Sequence, residues 1–208
     1  MEPQNIEIFL QRLGTLVQGI ATVAIPVTRM SRKVSMNAAL TACIVPERRE
    51  ELKAPVIYVQ HLTVQESTQK LPSESEMSSR EKSKRLAISY VRLRQDSAFD
   101  TRFEIRIAKG RYGGGFIVLF DAGALAISLS GYTEKLDEAI LLKALVELGA
   151  LEHEKAVEFS RPMNPEGTNK PRRNYDYFFQ TVSHAWDAAQ ALKNETLVAN
   201  ATTSAAEE

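Results

Sequence analysis

The segment GRYGGGFIVLFDAGALAISLSG, residues 110 to 131, constrains this chain more than any other. It packs four glycines into six positions and then runs through two apolar stretches to a Ser-Gly pair. The break at DAG reads as a tight turn in which Gly123 adopts positive φ, so the two stretches form an antiparallel hairpin. Upstream, TRFEIRIAKG alternates Phe103, Ile105 and Ile107 against Arg102, Glu104 and Arg106, the period of a half-buried strand, which extends the hairpin to a three-stranded meander. Downstream, Leu136, Ile140, Leu141, Ala144, Leu145 and Leu148 recur at helical spacing behind Thr133, a good N-cap, so a helix packs back onto the sheet.

The glycines admit three uses: a phosphate cradle, a close crossing of backbones, or a floor on which a flat ligand meets the main chain. A phosphate cradle needs them between a strand and a helix, where a helix N-terminus faces the anion. Here they precede a strand, and no Gly-Lys-Ser/Thr follows. On physics alone, Gly113, Gly114 and Gly115 read as a bulge or a close backbone crossing.

The rest of the chain supplies helices around this sheet. Ile6, Phe9, Leu10, Leu13, Leu16, Val17 and Ile20 repeat at three and four, an amphipathic helix closed by Pro26. Glu2 and Glu7 stand where a signal peptide carries basic residues, and Arg12 and Gln18 interrupt the apolar run, which argues against an export signal or a membrane span. The stretch between Pro26 and Pro46 is ambiguous between helix and strand. VIYVQHLTVQES reads as a strand, and Ser78 or Ser79 as the cap of a helix through REKSKRLAISYVRLRQ. The expected organisation is one α+β domain over 1–160, a loop and C-terminal helix over 161–195 packing on it or on a partner subunit, and a disordered tail over 196–208.

Composition narrows the function classes. With 44% hydrophobic and 25% charged residues the chain buries a core. Lys plus Arg and Asp plus Glu are 26 each, so no global field draws it to nucleic acid or to an anionic membrane. The one cysteine, Cys43, makes no internal disulfide and fits a reducing, cytoplasmic setting. His61, His153 and His184 lack metal-ligand spacing, so no metal site is expected. Basic residues in NKPRR precede Tyr175, Tyr177, Phe178 and Phe179, a pattern that serves nucleic acid in some proteins and a core or an oligomer contact here. Together with the N-terminal stripe these aromatics predict a homo-oligomer.

GGGFIVLFDAGALAISLSGYTEKLDEAILLKAL also resembles the closing portion of the GlcG/HbpS family, the haem-degrading domain family, over roughly residues 80–150. The matching positions are Gly113 to Gly115, the turn at Gly123, Ser130 with Gly131, and Asp137 at a helix start. Ile117, Leu125 and Glu138 stand where the family has proline, glycine and, in one subgroup, histidine. The resemblance implies an antiparallel sheet flanked by helices in a profilin-like arrangement, an oligomer, and a bound small molecule or haem. Under it, Tyr112, Gly113, Gly114, Gly115 and Gly131 contact the ligand. Any chemistry, on a carbonyl or carboxylate compound, falls to His61, Ser130 and Asp137. His61 is equally the axial ligand if the ligand is haem, while an ordinary strand histidine is the commoner occupant of such a place. The alternative is a non-catalytic assembly or protein-interaction module in which the glycines are structural.

Overall fold

The computed structural model describes residues 3–28, 37–46, 54–64, 73–94, 114–120, 123–160 and 175–204. In chain order these form α1 (Pro3–Val27), β1 (Asn37–Ile44), β2 (Val56–Thr63), α2 (Ser73–Arg94), β3 (Gly115–Phe120), β4 (Gly123–Ser130), α3 (Glu134–Glu147), α4 (His153–Ser160) and α5 (Tyr175–Ser204). The class is α+β. The four strands make one antiparallel sheet in the order β2-β1-β4-β3, with β1 antiparallel to both β2 and β4. The expected hairpin is β3 and β4, whose register runs from Gly115 opposite Ser128 to Phe120 opposite Gly123. The strand expected over 101–110 lies outside the described residues.

The ambiguous stretch after Pro26 resolves into β1, the inner strand of the sheet. Seven of its eight residues are buried on both faces, which explains why no alternation marks it in the sequence. The two faces differ in side-chain size. Leu40, Leu62, Leu125, Ile127, Leu129, Phe116 and Val118 belong to the main core with α1, α3, α4 and α5. The opposite face carries Thr41, Cys43, Ala126 and Ser128, and α2 lies on it, with Leu86, Ala87, Tyr90 and Val91 closing a smaller core.

Helix α1 is long and apolar enough to cross a membrane by those measures alone, at a mean hydropathy of 1.4 over its most apolar window. Its apolar side is used within the chain: Leu10, Leu13, Val17, Ile20, Ala21, Ala24 and Ile25 are buried in the main core. Close approach depends on two of its glycines. A β-carbon at Gly14 would collide with the Gln60 side chain, and one at Gly19 would press on the Trp186 ring at 3.2 Å. Pro26 sits inside the last turn, and Val27 ends the helix.

Helix α5 packs on α1 and α3, burying Phe178, Phe179 and Val182. Of the aromatics read from the sequence as a core or an oligomer contact, Phe178 and Phe179 are thus core, and Tyr177 is exposed. The helix continues to Ser204, past the expected end at 195 and into the expected tail, with Leu192, Leu197 and Val198 exposed. Lys143 of α3 is nearly buried and reaches Glu147 and Asp187 at 2.8 Å each, tying α3 to α5. Burial pulls the ammonium pKa down, and the two carboxylates more than offset it, leaving it above the usual value.

Candidate functional site

Five of the sequence-predicted site residues, Gly114, Gly115, Ser130, Gly131 and Asp137, gather where α2 and the start of α3 meet the ends of β3 and β4. Small side chains set this up. Alternation puts Ser128 and Ser130 on the face of β4 toward α2, and Ser79 and Ser83, one helical turn apart, come down over Ser128. The Ser128 hydroxyl donates to the Ser79 carbonyl at 2.6 Å. The Ser79 hydroxyl has the Ser128 carbonyl at 2.9 Å and the Ser128 Oγ at 2.7 Å within reach. The Ser83 hydroxyl faces the Thr41 carbonyl at 3.1 Å and Ser128 Oγ at 3.0 Å. All three serines are 0% exposed. Ser79 is therefore not a cap: α2 starts at Ser73, and this serine lies deeper in the helix because its partner is across the layer.

The glycines serve the same contact. Gly114 has φ +78°, accepts a hydrogen bond from Leu129 N–H at 2.7 Å, and would place a β-carbon 2.6 Å from the Asp137 Cβ. Leu86 of α2 occupies the space a side chain at Gly115 would need, and Ala38 and Asn37 occupy that at Gly131. The protein itself fills what would be the floor of a ligand site at these three positions. Tyr112 and Gly113 lie outside the described residues.

Asp137 is the most perturbed group of the junction. It is 2% exposed, and Oδ1 accepts from the Tyr132 N–H at 3.1 Å, with the Gly131 N–H a second donor. Burial pushes its pKa up to about 7, helped by Glu134, against the opposing pull of Lys82 and the two backbone donors. Lys82 itself is nearly buried, with Nζ 3.4 Å from the Leu129 carbonyl. Burial, with the Asp137 charge beside it, also raises the Tyr132 hydroxyl. Thr133 caps α3, accepting from Leu136 N–H at 3.5 Å, as its place in the sequence predicts.

His61 stands apart. Ala39 is the register partner of both His61 and Ser130, so the three form one row across β2, β1 and β4 on the α2 face. At the usual strand spacing, two ladders put the His61 and Ser130 backbones about 10 Å apart. The Ser130 hydroxyl donates to Ser78 Oγ at 3.2 Å, and His61 Nε2 lies 3.5 Å from Glu76, with its side chain 48% exposed. The structure thus brings Ser130, Gly131, Gly114, Gly115 and Asp137 together and leaves His61 on the edge strand. Among the described residues no serine–histidine contact of the kind nucleophilic catalysis requires is present.

A second feature was not legible in the sequence. An open cleft of about 360 Å3 lies between the first turns of α1 and the adjoining ends of β1 and β2. Ile6, Glu7, Leu10 and Gln11 line one side, and Ile44, Ile57 and Tyr58 the other. Among the described residues no three His, Cys, Asp or Glu side chains converge as a metal site would require. The Cys43 thiol is buried, and that burial raises its pKa to about 11, so it is held as the unreactive thiol. No family model, curated protein or solved structure matches the chain.

Proposed function

We propose that this protein is a non-catalytic binding module whose glycine and serine positions are structural. One observation carries the reading: the hydroxyls of Ser79, Ser83 and Ser128 are consumed by one another and by backbone carbonyls, fully shielded from solvent. A hydroxyl so engaged has no hydrogen-bonding capacity turned outward for a substrate. The filled space before Gly114, Gly115 and Gly131 supports the same reading. The module reading also accommodates self-association and a cytoplasmic setting, both expected from the sequence.

A second reading rests on Asp137. A buried carboxyl that changes charge near neutral pH beside Lys82 is the kind of group that general acid–base chemistry uses. It keeps alive the small-molecule site that the GlcG/HbpS resemblance implies, acting on a carbonyl or carboxylate compound, with haem as a further branch through His61. Two measurements separate the readings. Titration with haem followed by absorbance is expected to give no shifted Soret band. Thermal melting with small keto acids and dicarboxylates is expected to give no stabilisation. A stabilisation that disappears in Asp137→Asn would overturn the module reading.

A further inference from the structure

We infer that the cleft between α1 and β2 is a binding site for an organic cation with an apolar body, such as an arylalkyl ammonium compound. This rests on the module reading and supplies the ligand class.

The cleft has a structural cause. The β1–β2 register pairs Ala42 with Tyr58 but Cys43 with Val56, so Ile57 is the extra residue of a bulge. Strict alternation would send Ile57 to the α2 face with Val59. The bulge instead lets Ile57 line the cleft beside its neighbour Tyr58. Bulges commonly re-aim a side chain next to a functional site. The result is an apolar wall of Ile44 and Ile57, 42% and 40% exposed, facing Ile6 and Leu10. A volume of about 360 Å3 falls in the range of small-molecule sites, roughly 300–1,000 Å3.

Charge selects the occupant. Among the described residues Glu7 is the one formally charged residue lining the cleft, and Gln11 Nε2 donates to its Oε1 at 3.2 Å, holding the carboxylate in place. The Tyr58 hydroxyl donates to Gln60 Oε1 at 2.5 Å, so its proton is already committed and the ring is what it offers. A carboxylate, an aromatic ring and aliphatic walls complement a cationic head on an apolar body. An anionic ligand would meet repulsion from Glu7.

The test uses three probes with one indole body: tryptamine as the cation, tryptophol as the neutral analogue and indole-3-acetate as the anion. Two-dimensional NMR titration of the full chain at pH 7 is expected to shift the amides around Glu7, Ile44 and Ile57, most strongly with tryptamine. Glu7→Gln, an exposed change that leaves the core intact, should weaken tryptamine about fivefold. The same variant should change tryptophol by less than twofold. Ile57→Ser should weaken all three probes while far-ultraviolet circular dichroism stays native. Equal affinity for cation and anion, or a Glu7→Gln variant that binds tryptamine as before, overturns the inference. Absence of shifts at millimolar probe overturns it too and leaves the module reading standing. Shifts confined to Gly114, Gly131 and Asp137 would instead overturn both.

Discussion

Replacing Gly114 by alanine puts the account of the glycines to a quantitative test. The substitution has two costs. A non-glycine residue at φ +78° pays about 1–2 kcal/mol for the left-handed conformation. The new β-carbon would also sit 2.6 Å from Asp137 Cβ and 3.0 Å from the Leu129 carbonyl. Neither neighbour is the free end of a flexible chain, so relief requires moving the start of β3 away from α3 and β4, and overpacking of this kind costs about 1–3 kcal/mol. Gly149 provides the control, since its φ is +68° and a β-carbon there meets nothing within 4 Å. Gly149→Ala pays only the conformational term. Urea unfolding of both variants should give a loss of about 2–5 kcal/mol for Gly114→Ala and about 1–2 kcal/mol for Gly149→Ala, with similar m-values. Equal losses would show that the space before Gly114 is open, as a ligand floor would leave it.

Three further outcomes are expected. The buried Asp137 keeps its proton to about pH 7 when folded, whereas the unfolded chain releases it near pH 4. Stability therefore falls as pH rises from about 4 to 7 and levels off above, by at most roughly 4 kcal/mol. Asp137→Asn should flatten that slope in urea melts taken across the range, and an unchanged slope would refute the assignment. Phe178→Ser combined with Phe179→Ser should lower the melting temperature sharply, costing about 3 kcal/mol or more, because both rings are core. A stable double variant whose only change is a smaller mass in light scattering would place them between subunits instead. Lys143→Met should cost no more than about 1 kcal/mol, since methionine fills the same apolar space and Glu147 and Asp187 keep access to water.

How much the sequence reveals depends on whether an element shows one face to water. α1, β2 and the β3–β4 hairpin carry periodic or β-rich signals, and α3 adds a capping threonine, so all were legible with nearly correct ends. β1 was not, because NAALTACI is covered on both sides and alternation vanishes. The start of α2 was misplaced for a related reason. SESEMSSREKSK has few apolar residues, so its serines read as caps, whereas Ser79 and Ser83 form a polar face against Ser128. The spacing of four on a helix against a strand serine is a signal in hindsight, but only once the register joins them. For the site, Ser130, Gly131, Gly114 and Asp137 share one continuous segment, which makes their proximity legible. His61 lies 69 positions before Ser130, and nothing in the sequence shows that β1 separates β2 from β4. The cleft depends on a bulge at Ile57 and on where α1 crosses β2, neither of which leaves a periodic trace.

The central claim is that the serine layer between α2 and the sheet is internal structure, and a double-mutant cycle on Ser79 and Ser128 tests it most directly. Ser79→Ala, Ser128→Ala and the double variant would be compared by urea unfolding. Each single change strands a buried backbone carbonyl of the other residue and should cost about 1–3 kcal/mol. The double change leaves both carbonyls stranded and removes both ends of the Oγ–Oγ contact at 2.7 Å, so its cost should exceed either single loss and fall short of their sum by no more than about 1 kcal/mol. Single and double variants as stable as the parent would contradict the claim and return the serines to the surface of a ligand site.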